Sequence, residues 1–289
     1  MILIAGGTGR LGTALVTLLA GRGLPVRVLT RDPARAAHLD SQRVEVVTGD
    51  VRNRASLIPA VRGAEVVVSA VHGFAGPGGV SPASVDNQGN VHLIDAAQTA
   101  GAEVVLMSIV GAAADSPSEL FRMKYAAEQY LQASGISWTI VRATAFLELW
   151  TGMLSQTAAR SGRPLVFGSG TNPVNFVSVT DVAALTERAV TDPSTRGRIL
   201  EIGGPDNLTF NQLAAAVQAA AGRTSAPRHV PPAMLRLIAS TLGRVRPELG
   251  RQARAALIMD QADLTHNATA IRQAYPEIPS TSLNLSLDS

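Results

Sequence analysis

The sequence has no cysteine, few aromatic residues and one lysine. Because cysteine is absent from all 289 residues, disulfides, thiolate nucleophiles and cysteine metal sites are excluded. The histidines stand at positions 38, 72, 92, 229 and 266, without the spacing of metal ligands, so no metal site is predicted. No apolar run approaches the length of a membrane span, which is about 18 residues or more.

Charge and aromatic content argue against nucleic acid as a partner. The pI is 9.9, but the net charge is only +3, and aromatic residues make up 4% of the chain. Because the arginines are dispersed, no basic stripe with stacking rings is formed. The first apolar segment begins at residue 1, so we expect no signal peptide and predict a cytoplasmic protein without membrane contact.

The basic residues are almost all arginine. Of 25 basic side chains, Lys124 is the single lysine. A chain-wide bias of this kind is typical of genomic composition. A position that stays lysine against the bias therefore indicates a role that requires an ammonium group.

The N-terminal residues combine an apolar strand with a glycine loop that opens a helix. Glycines at 6, 9 and 12 follow the apolar residues 2–5, and leucines at helical spacing come after them. A pyrophosphate needs exposed backbone N–H groups and the positive end of a helix dipole, and this loop offers both. The predicted phosphate-binding residues are Gly6, Thr8, Gly9, Arg10, Leu11 and Gly12.

Apolar runs alternate with helical stretches through the first half of the chain. The pattern predicts strands at 2–5, 26–30, 44–47, 66–70, 104–108 and 138–141, with helices at 11–20, 33–39, 54–61, 84–100 and 118–133. We therefore predict an α/β fold with a doubly wound parallel sheet of the Rossmann type. Residues 1–147 form the dinucleotide-binding domain, with a returning segment at about 175–202. The remainder of 148–289 is a smaller, mainly helical substrate-binding cap.

The end of the second predicted strand indicates which nicotinamide cofactor binds. An acidic residue there favours NAD(H), whereas arginine favours the 2′-phosphate of NADP(H). Arg31 stands at this point, and Arg10 is a second candidate for the phosphate. NADP(H) is therefore the preferred cofactor. Asp32 keeps NAD(H) open, unless its side chain caps the helix that follows.

Two further strand ends are predicted to contact the cofactor. Asp50 and Val51 follow the third strand, where they would meet the adenine, although a capped turn is the alternative. Ala70, Val71 and His72 end the fourth strand, where the chain would pass the nicotinamide ribose.

A series of short motifs occurs in order over roughly residues 1–222. They are Gly-Gly-Thr-Gly-Arg-Leu-Gly at 6–12, Thr30-Arg31, Gly49-Asp50, Ser108, Lys124 with Glu128, Val-Arg-Ala-Thr-Ala-Phe at 141–146, Val-Thr-Asp-Val-Ala at 179–183 and Gly-Gly-Pro at 203–205. In this order they resemble the NmrA-like branch of the short-chain dehydrogenase/reductase superfamily. That branch includes flavin-free quinone, azo-dye, triphenylmethane and isoflavone-type reductases, together with catalytically silent redox sensors. The resemblance implies further cofactor contacts from Ser108, Lys124, Ala143, Thr144 and Phe146.

The sequence departs from the superfamily at the proton donor. Ordinary members carry a tyrosine four residues before the lysine, but Leu120 stands there in this chain. Tyr125 cannot replace it, because adjacent helix residues diverge by about 100° around the axis. Lys124 is then expected to hold the ribose hydroxyls, to place positive charge near the reacting oxygen or to donate a proton itself. His72 and Ser108 are the other catalytic candidates.

The resulting prediction is an NADPH-dependent oxidoreductase. Phe74, Phe146, Glu148 and Trp150 are candidates for the substrate wall, with ordinary packing as the alternative. The expected substrate is a small, flat, electron-poor molecule such as a quinone or enone, reduced directly by hydride without flavin or metal. Two alternatives stay open: a non-catalytic NADP(H) sensor of the NmrA type, and a nucleotide-assisted isomerase or epimerase. The oligomeric state is also open, with a homodimer as one candidate.

Overall fold

The computed structural model describes residues 1–39, 43–74, 76 and 79–283. The strands of this part of the chain are β1 (Ile2–Ala5), β2 (Val26–Thr30), β3 (Val44–Thr48), β4 (Val66–Ser69), β5 (Glu103–Ile109), β6 (Trp138–Ala143), β7 (Ala145–Phe146), β8 (Leu165–Phe167), β9 (Pro173–Val177), β10 (Arg198–Ile202), β11 (Asn207–Thr209) and β12 (Arg228–Val230). The α-helices are α1 (Arg10–Gly21), α2 (Arg54–Val61), α3 (Gln88–Ala100), α4 (Glu119–Ala133), α5 (Leu147–Ser161), α6 (Val179–Thr191), α7 (Phe210–Ala220), α8 (Pro232–Ser240), α9 (Leu242–Val245), α10 (Pro247–Gln261) and α11 (Thr269–Ala274).

Packing divides the chain into two compact units. The first comprises Met1–Ala143 and Val179–Ile202, and the second comprises Thr144–Ser178 and the described residues from Gly203 onward. The boundary therefore falls after residue 143, four residues before the predicted boundary after 147. Residues 175–177, expected to return to the first unit, instead pair with β11 and β7 in the second.

The first unit is built on a seven-stranded sheet with the order β10-β6-β5-β4-β1-β2-β3, and every pair is parallel. The chain runs outward from β1 through β2 to β3, then returns to β4 on the other side of β1. The crevice at the carboxyl ends of β1 and β4 is consequently the switch point at which such sheets bind ligands. The predicted doubly wound fold is confirmed.

The pattern of buried apolar residues explains why the strands were predictable. All four residues of β1 are buried, as expected for a parallel strand covered on both faces. The helical predictions differ in two places. Residues Pro33–Leu39 form a 3-10 helix, and the stretch predicted to be helical from 84 begins as a π-helical turn at Pro82–Asn87.

A buried ion pair fixes α4 against the sheet. The guanidinium of Arg142 on β6 donates to both carboxylate oxygens of Glu128, at 3.0 and 2.6 Å, and to Glu201 on β10 at 3.0 Å. These bonds hold the pKa of Arg142 above its usual range, although burial opposes them. Because Glu128 is fully buried and lies one turn after Lys124, the pair also fixes where Lys124 lies.

The second unit has a small core of its own. Its three-stranded sheet has the order β11-β9-β7, and β12 pairs with β8. Leu154, Phe176, Phe210 and Leu213 are buried together there. The rest of the described unit is mainly helical, as predicted. Across the described residues of both units, no helix is long and apolar enough to cross a membrane.

Candidate functional site

The glycine loop forms a tight turn between β1 and α1. Gly6 has a φ of +90°, a conformation that favours glycine, and the N–H of Gly9 donates to its carbonyl at 3.0 Å. Helix α1 begins at Arg10, after Gly9 as the N-cap. Since Gly9 has no side chain to cap the helix, the N–H groups of the first turn are available to an anion.

The loop also lies too close to its neighbours for side chains. A Cβ on Gly12 would stand 2.2 Å from the carbonyl oxygen of Gly6 and 2.6 Å from the Cα of Gly7. A Cβ on Gly6 would stand 2.6 Å from the carbonyl oxygen of Ala70, at the end of β4. The loop therefore packs closely on the start of α1 and on the end of β4, and this close packing of helix and strand fits a dinucleotide-binding turn.

A cleft of about 570 Å³ opens beside this turn. It is lined by Ala5, Gly6, Thr8, Gly9, Leu29, Thr30, Arg31, Asp32, Arg35, Gly49, Asp50, Val51, Ala70, Val71, His72, Val80 and Val85. The strand ends of β1, β2, β3 and β4 thus contribute to one wall. Nine predicted residues line it, namely Gly6, Thr8, Gly9, Arg31, Asp50, Val51, Ala70, Val71 and His72.

Other predicted residues lie elsewhere. Leu11 and Gly12 are buried under the loop, and Arg10 is exposed at the first position of α1. Ser108, Lys124 and Ala143 are buried in the first unit without lining the described cleft. Arg35 was missed, although its position four residues after Arg31 in a helical segment could have indicated it.

Two arginines lie at the β2 end of the cleft. Arg31 and Arg35 both line it, together with Asp32. The Oδ1 of Asp32 accepts the N–H of Ala34 at 3.1 Å, so this carboxylate caps the 3-10 helix. The capping alternative for Asp32 matches the structure, and the local charge favours a phosphate more than a ribose hydroxyl.

Asp50 is engaged by its neighbour Arg52. Its oxygens accept from Arg52 Nε at 3.1 Å and from Nη2 at 2.6 Å, and Oδ1 also accepts the Arg52 N–H at 2.9 Å. The side-chain bonds from Arg52 hold the pKa of Asp50 below its usual value. Asp50 therefore has the capped-turn geometry that was the alternative to adenine contact, while its side chain still lines the cleft.

A buried carboxylate joins two of the predicted catalytic residues. Asp86, on the π-helical turn, is fully buried and was not singled out by sequence reasoning. Its Oδ1 lies 3.1 Å from Nζ of Lys124 and 3.4 Å from Nδ1 of His72. Its Oδ2 accepts the N–H of Gly73 at 2.9 Å.

Lys124 is buried and has three acceptors around it. Besides Asp86, its Nζ lies 3.2 Å from the carbonyl oxygen of Val71 and 3.0 Å from that of Met107. Two N–H groups of Lys124 therefore donate to backbone carbonyls, and the Asp86 carboxylate pairs with the same ammonium. The expected contact with ribose hydroxyls stays a prediction.

Ser108 differs from Lys124, because its buried side chain makes no hydrogen bond. The residue is buried, with 8% of its surface exposed, and its Oγ has no hydrogen-bond partner. A buried hydroxyl without a partner is uncommon in native proteins and requires an explanation, such as a bound group that supplies the missing bond. This orphaned oxygen, near the end of β5, fits the predicted contact with the cofactor.

The predicted substrate-wall residues divide between the units. Phe74 lies in the first unit, and its ring stacks on His72 with centroids 6.0 Å apart. In the second unit, Trp150 packs edge-on against Phe210 at 4.9 Å, and Oε1 of Glu148 accepts from Ser178 at 2.6 Å. Phe146 is half-buried in β7, and Thr144 donates to Asn175 at 2.9 Å. The contact of Trp150 with Phe210 matches the alternative of ordinary packing for Trp150.

The fold and the glycine cleft together define a dinucleotide-binding protein of the doubly wound class. The NmrA-like family model matches residues 1–261, and the chain belongs to this family. Within the described residues, no group of three or more histidine, aspartate or glutamate side chains is placed to hold a metal ion.

Named relatives are similar over most of the chain. This chain is 34% identical over 225 residues to an NAD(P)H azoreductase of Xenophilus azovorans, and the match covers 77% of this chain and 74% of that protein. An NADPH-dependent quinone oxidoreductase of Escherichia coli, solved with NADPH, has the same fold, with a TM-score of 0.79, 23% identity and coverage of 100% and 99%. A triphenylmethane reductase of Citrobacter, solved with NADP(H), gives a TM-score of 0.79 at 18% identity, with coverage of 100% and 99%.

The first prediction concerns the packing of α1 on the glycine turn. Gly12→Ala places a Cβ on backbone atoms that cannot rotate away, so we expect a loss of about 1–3 kcal/mol in the free energy of unfolding, measured by urea denaturation. Gly21→Ala is the matched control, because the same helix carries it and a Cβ there meets nothing within 4 Å. Equal stability of the two variants would contradict the close approach.

The second prediction concerns the buried ion pair of Lys124 and Asp86. Lys124→Met leaves the carboxylate buried without its main counter-charge, so we expect a loss of about 3–5 kcal/mol in the free energy of unfolding. Adding Asp86→Asn removes the stranded charge and should recover part of this loss, which a double-mutant cycle in urea would measure. Strictly additive losses would show that the two side chains do not interact.

Proposed function

We propose that this chain, an NAD(P)H-dependent oxidoreductase of the NmrA-like family, binds NADPH in the cleft of its first unit and passes hydride directly to a flat, electron-poor acceptor. The observation that carries the proposal is the glycine turn at the carboxyl ends of β1 and β4. There, Cβ atoms on Gly6 and Gly12 would meet backbone oxygens at 2.6 and 2.2 Å.

The preference for NADPH rests on the charges at the β2 end of the cleft. Arg31 and Arg35 would hold the 2′-phosphate through charge-assisted hydrogen bonds. Asp32 also lines the cleft, but Oδ1 of its side chain caps the 3-10 helix, and Arg31 and Arg35 outnumber its single negative charge. Ser108 supplies a hydroxyl that lacks a partner and would bond the nicotinamide end.

A bound dihydronicotinamide supplies a hydride, which is two electrons and one proton. The reduced acceptor needs a second proton, and we assign its delivery to His72. This side chain lines the cleft and is 53% exposed, so the imidazole can be reprotonated from solvent. Lys124 contributes a fixed positive charge near the same strand ends, without giving up a proton.

The acceptor class is inferred from chemistry common to the relatives. The names of those proteins refer to azo, quinone and triphenylmethane substrates, and each of these compound classes is conjugated and accepts electrons. A quinone or an enone is therefore the substrate class proposed for this chain.

Turnover tests the proposal directly. With NADPH and a panel of quinones, enones and azo dyes, we expect acceptor-dependent loss of NADPH absorbance above the rate without protein. His72→Gln should lower kcat by a larger factor than it raises the Kd of NADPH. Tight NADPH binding with no acceptor-dependent oxidation across the panel would overturn the proposal and favour a sensor.

Cofactor selectivity gives a further prediction. Removal of both arginines, in Arg31→Ala with Arg35→Ala, deletes charge-assisted bonds worth about 1.5–3 kcal/mol each. We therefore expect NADPH affinity to fall by about 100-fold or more while NADH affinity stays nearly constant, as measured by fluorescence titration. Arg160→Ala, an exposed arginine on α5, is the control. An equal fall for both nucleotides would refute the 2′-phosphate assignment.

A further inference from the structure

We propose that Asp86 is the positioning residue of the site, fixing the Nδ1–H tautomer of His72 and the ammonium of Lys124 through one buried carboxylate. This inference rests on the proposed reductase function, because it assigns a purpose to the orientation of His72. Asp86 itself neither lines the described cleft nor takes part in proton transfer.

The hydrogen-bond donors around Asp86 determine which tautomer His72 adopts. An ionised carboxylate can only accept, so each group facing Asp86 must bring a proton. Lys124 and the Gly73 N–H do so at 3.1 and 2.9 Å. The remaining neighbour is Nδ1 of His72 at 3.4 Å from Oδ1, so this nitrogen carries the hydrogen. Nε2, on the far side of the ring from Asp86, is then the atom that exchanges protons.

Burial and charge keep Asp86 ionised. The carboxylate is fully buried, which acts to raise its pKa, but the charge of Lys124 and the hydrogen bond and charge of His72 outweigh burial. The pKa of Asp86 consequently lies below its usual range. A buried charge that is paired and hydrogen-bonded in this way is stable, and it gives a fixed direction to the groups around it.

The backbone beneath Asp86 is also fixed. The Nδ2 of Asn90 donates to the carbonyl oxygen of Asp86 at 2.7 Å, and Oδ1 of Asn90 accepts from Ser69 on β4 at 2.5 Å. These bonds tie the π-helical turn to the sheet. Turns of this kind occur frequently at functional sites, and Asp86 is the charged residue of this one.

The proton balance follows from this arrangement. When the acceptor gains hydride, an imidazolium at His72 gives up the Nε2 proton, and the N–H bond electrons stay on the ring. The neutral imidazole keeps its Nδ1 hydrogen on Asp86, so the ring does not turn. Its half-exposed side chain regains a proton from water. Asp86 stays a carboxylate throughout.

Nitrogen NMR of the histidine side chains tests the inference. In the wild-type protein, we expect the neutral form of His72 to show the Nδ1–H tautomer, with its signals identified by their loss in His72→Gln. In Asp86→Asn the single amide oxygen cannot serve three donors, so the tautomer should shift toward Nε2–H. We expect kcat to fall by about 10–100-fold, with the Kd of NADPH unchanged. Asp86→Glu, which keeps the charge, should restore part of kcat.

A matched control and a clear refutation are available. Asp95→Asn makes the same change further along α3, at a residue that pairs with Arg54, and should leave kcat and the His72 signals as they are. An Nε2–H tautomer of His72 in the wild type would overturn the inference, and so would a folded Asp86→Asn variant with unaltered kcat. If Asp86→Asn does not fold, the tautomer of His72 in the wild type and the kcat of Asp86→Glu still test the inference. Absence of turnover in the wild type would instead count against the reductase proposal, and the tautomer can be measured independently of it.

Discussion

The ion pair of Lys124 with Asp86 is the interaction that organises the candidate site of the first unit. The ammonium joins α4 to the carbonyl of Val71 after β4, to that of Met107 in β5 and to the π-helical turn. Three separate segments therefore converge on one compact charge. Arginine is the common base in this chain, but its planar fork does not fit three acceptors placed around a point. The structure thus explains why one lysine persists among 24 arginines.

The parts of the fold that could be predicted from sequence depend on local or repeated signals. Buried parallel strands appear in the sequence as apolar runs, so β1 and β2 were predicted at their observed bounds. The glycine turn was predictable because its spacing encodes a backbone that passes close to other backbone. The π-helical turn was not predictable, since it depends on the Asn90 side chain bonding both the Asp86 carbonyl and Ser69 on another element.

The candidate site also has a part that could be predicted from the sequence and a part that could not. Its phosphate end lies on consecutive residues, so sequence spacing was informative there. Asp86 was missed because an aspartate in a polar stretch resembles any exposed helix residue. Its importance comes from Lys124 on a different helix, and a single sequence carries no signal of that contact. The substrate wall was the least predictable part, because apolar side chains such as Trp150 have the same composition whether they line a pocket or fill a core.

The loss of the superfamily tyrosine has a consequence for the rest of the site. A tyrosine beside the lysine would donate the proton, but Leu120 occupies that helix position here. Lys124 is anchored in the protein by two backbone carbonyls and by the charge of Asp86. The donor must combine an anchored side with a side that reaches solvent or substrate. His72 meets both requirements, with Nδ1 held near Asp86 and half its side chain exposed. The same lysine that no longer acts beside a tyrosine then holds the carboxylate that orients the histidine.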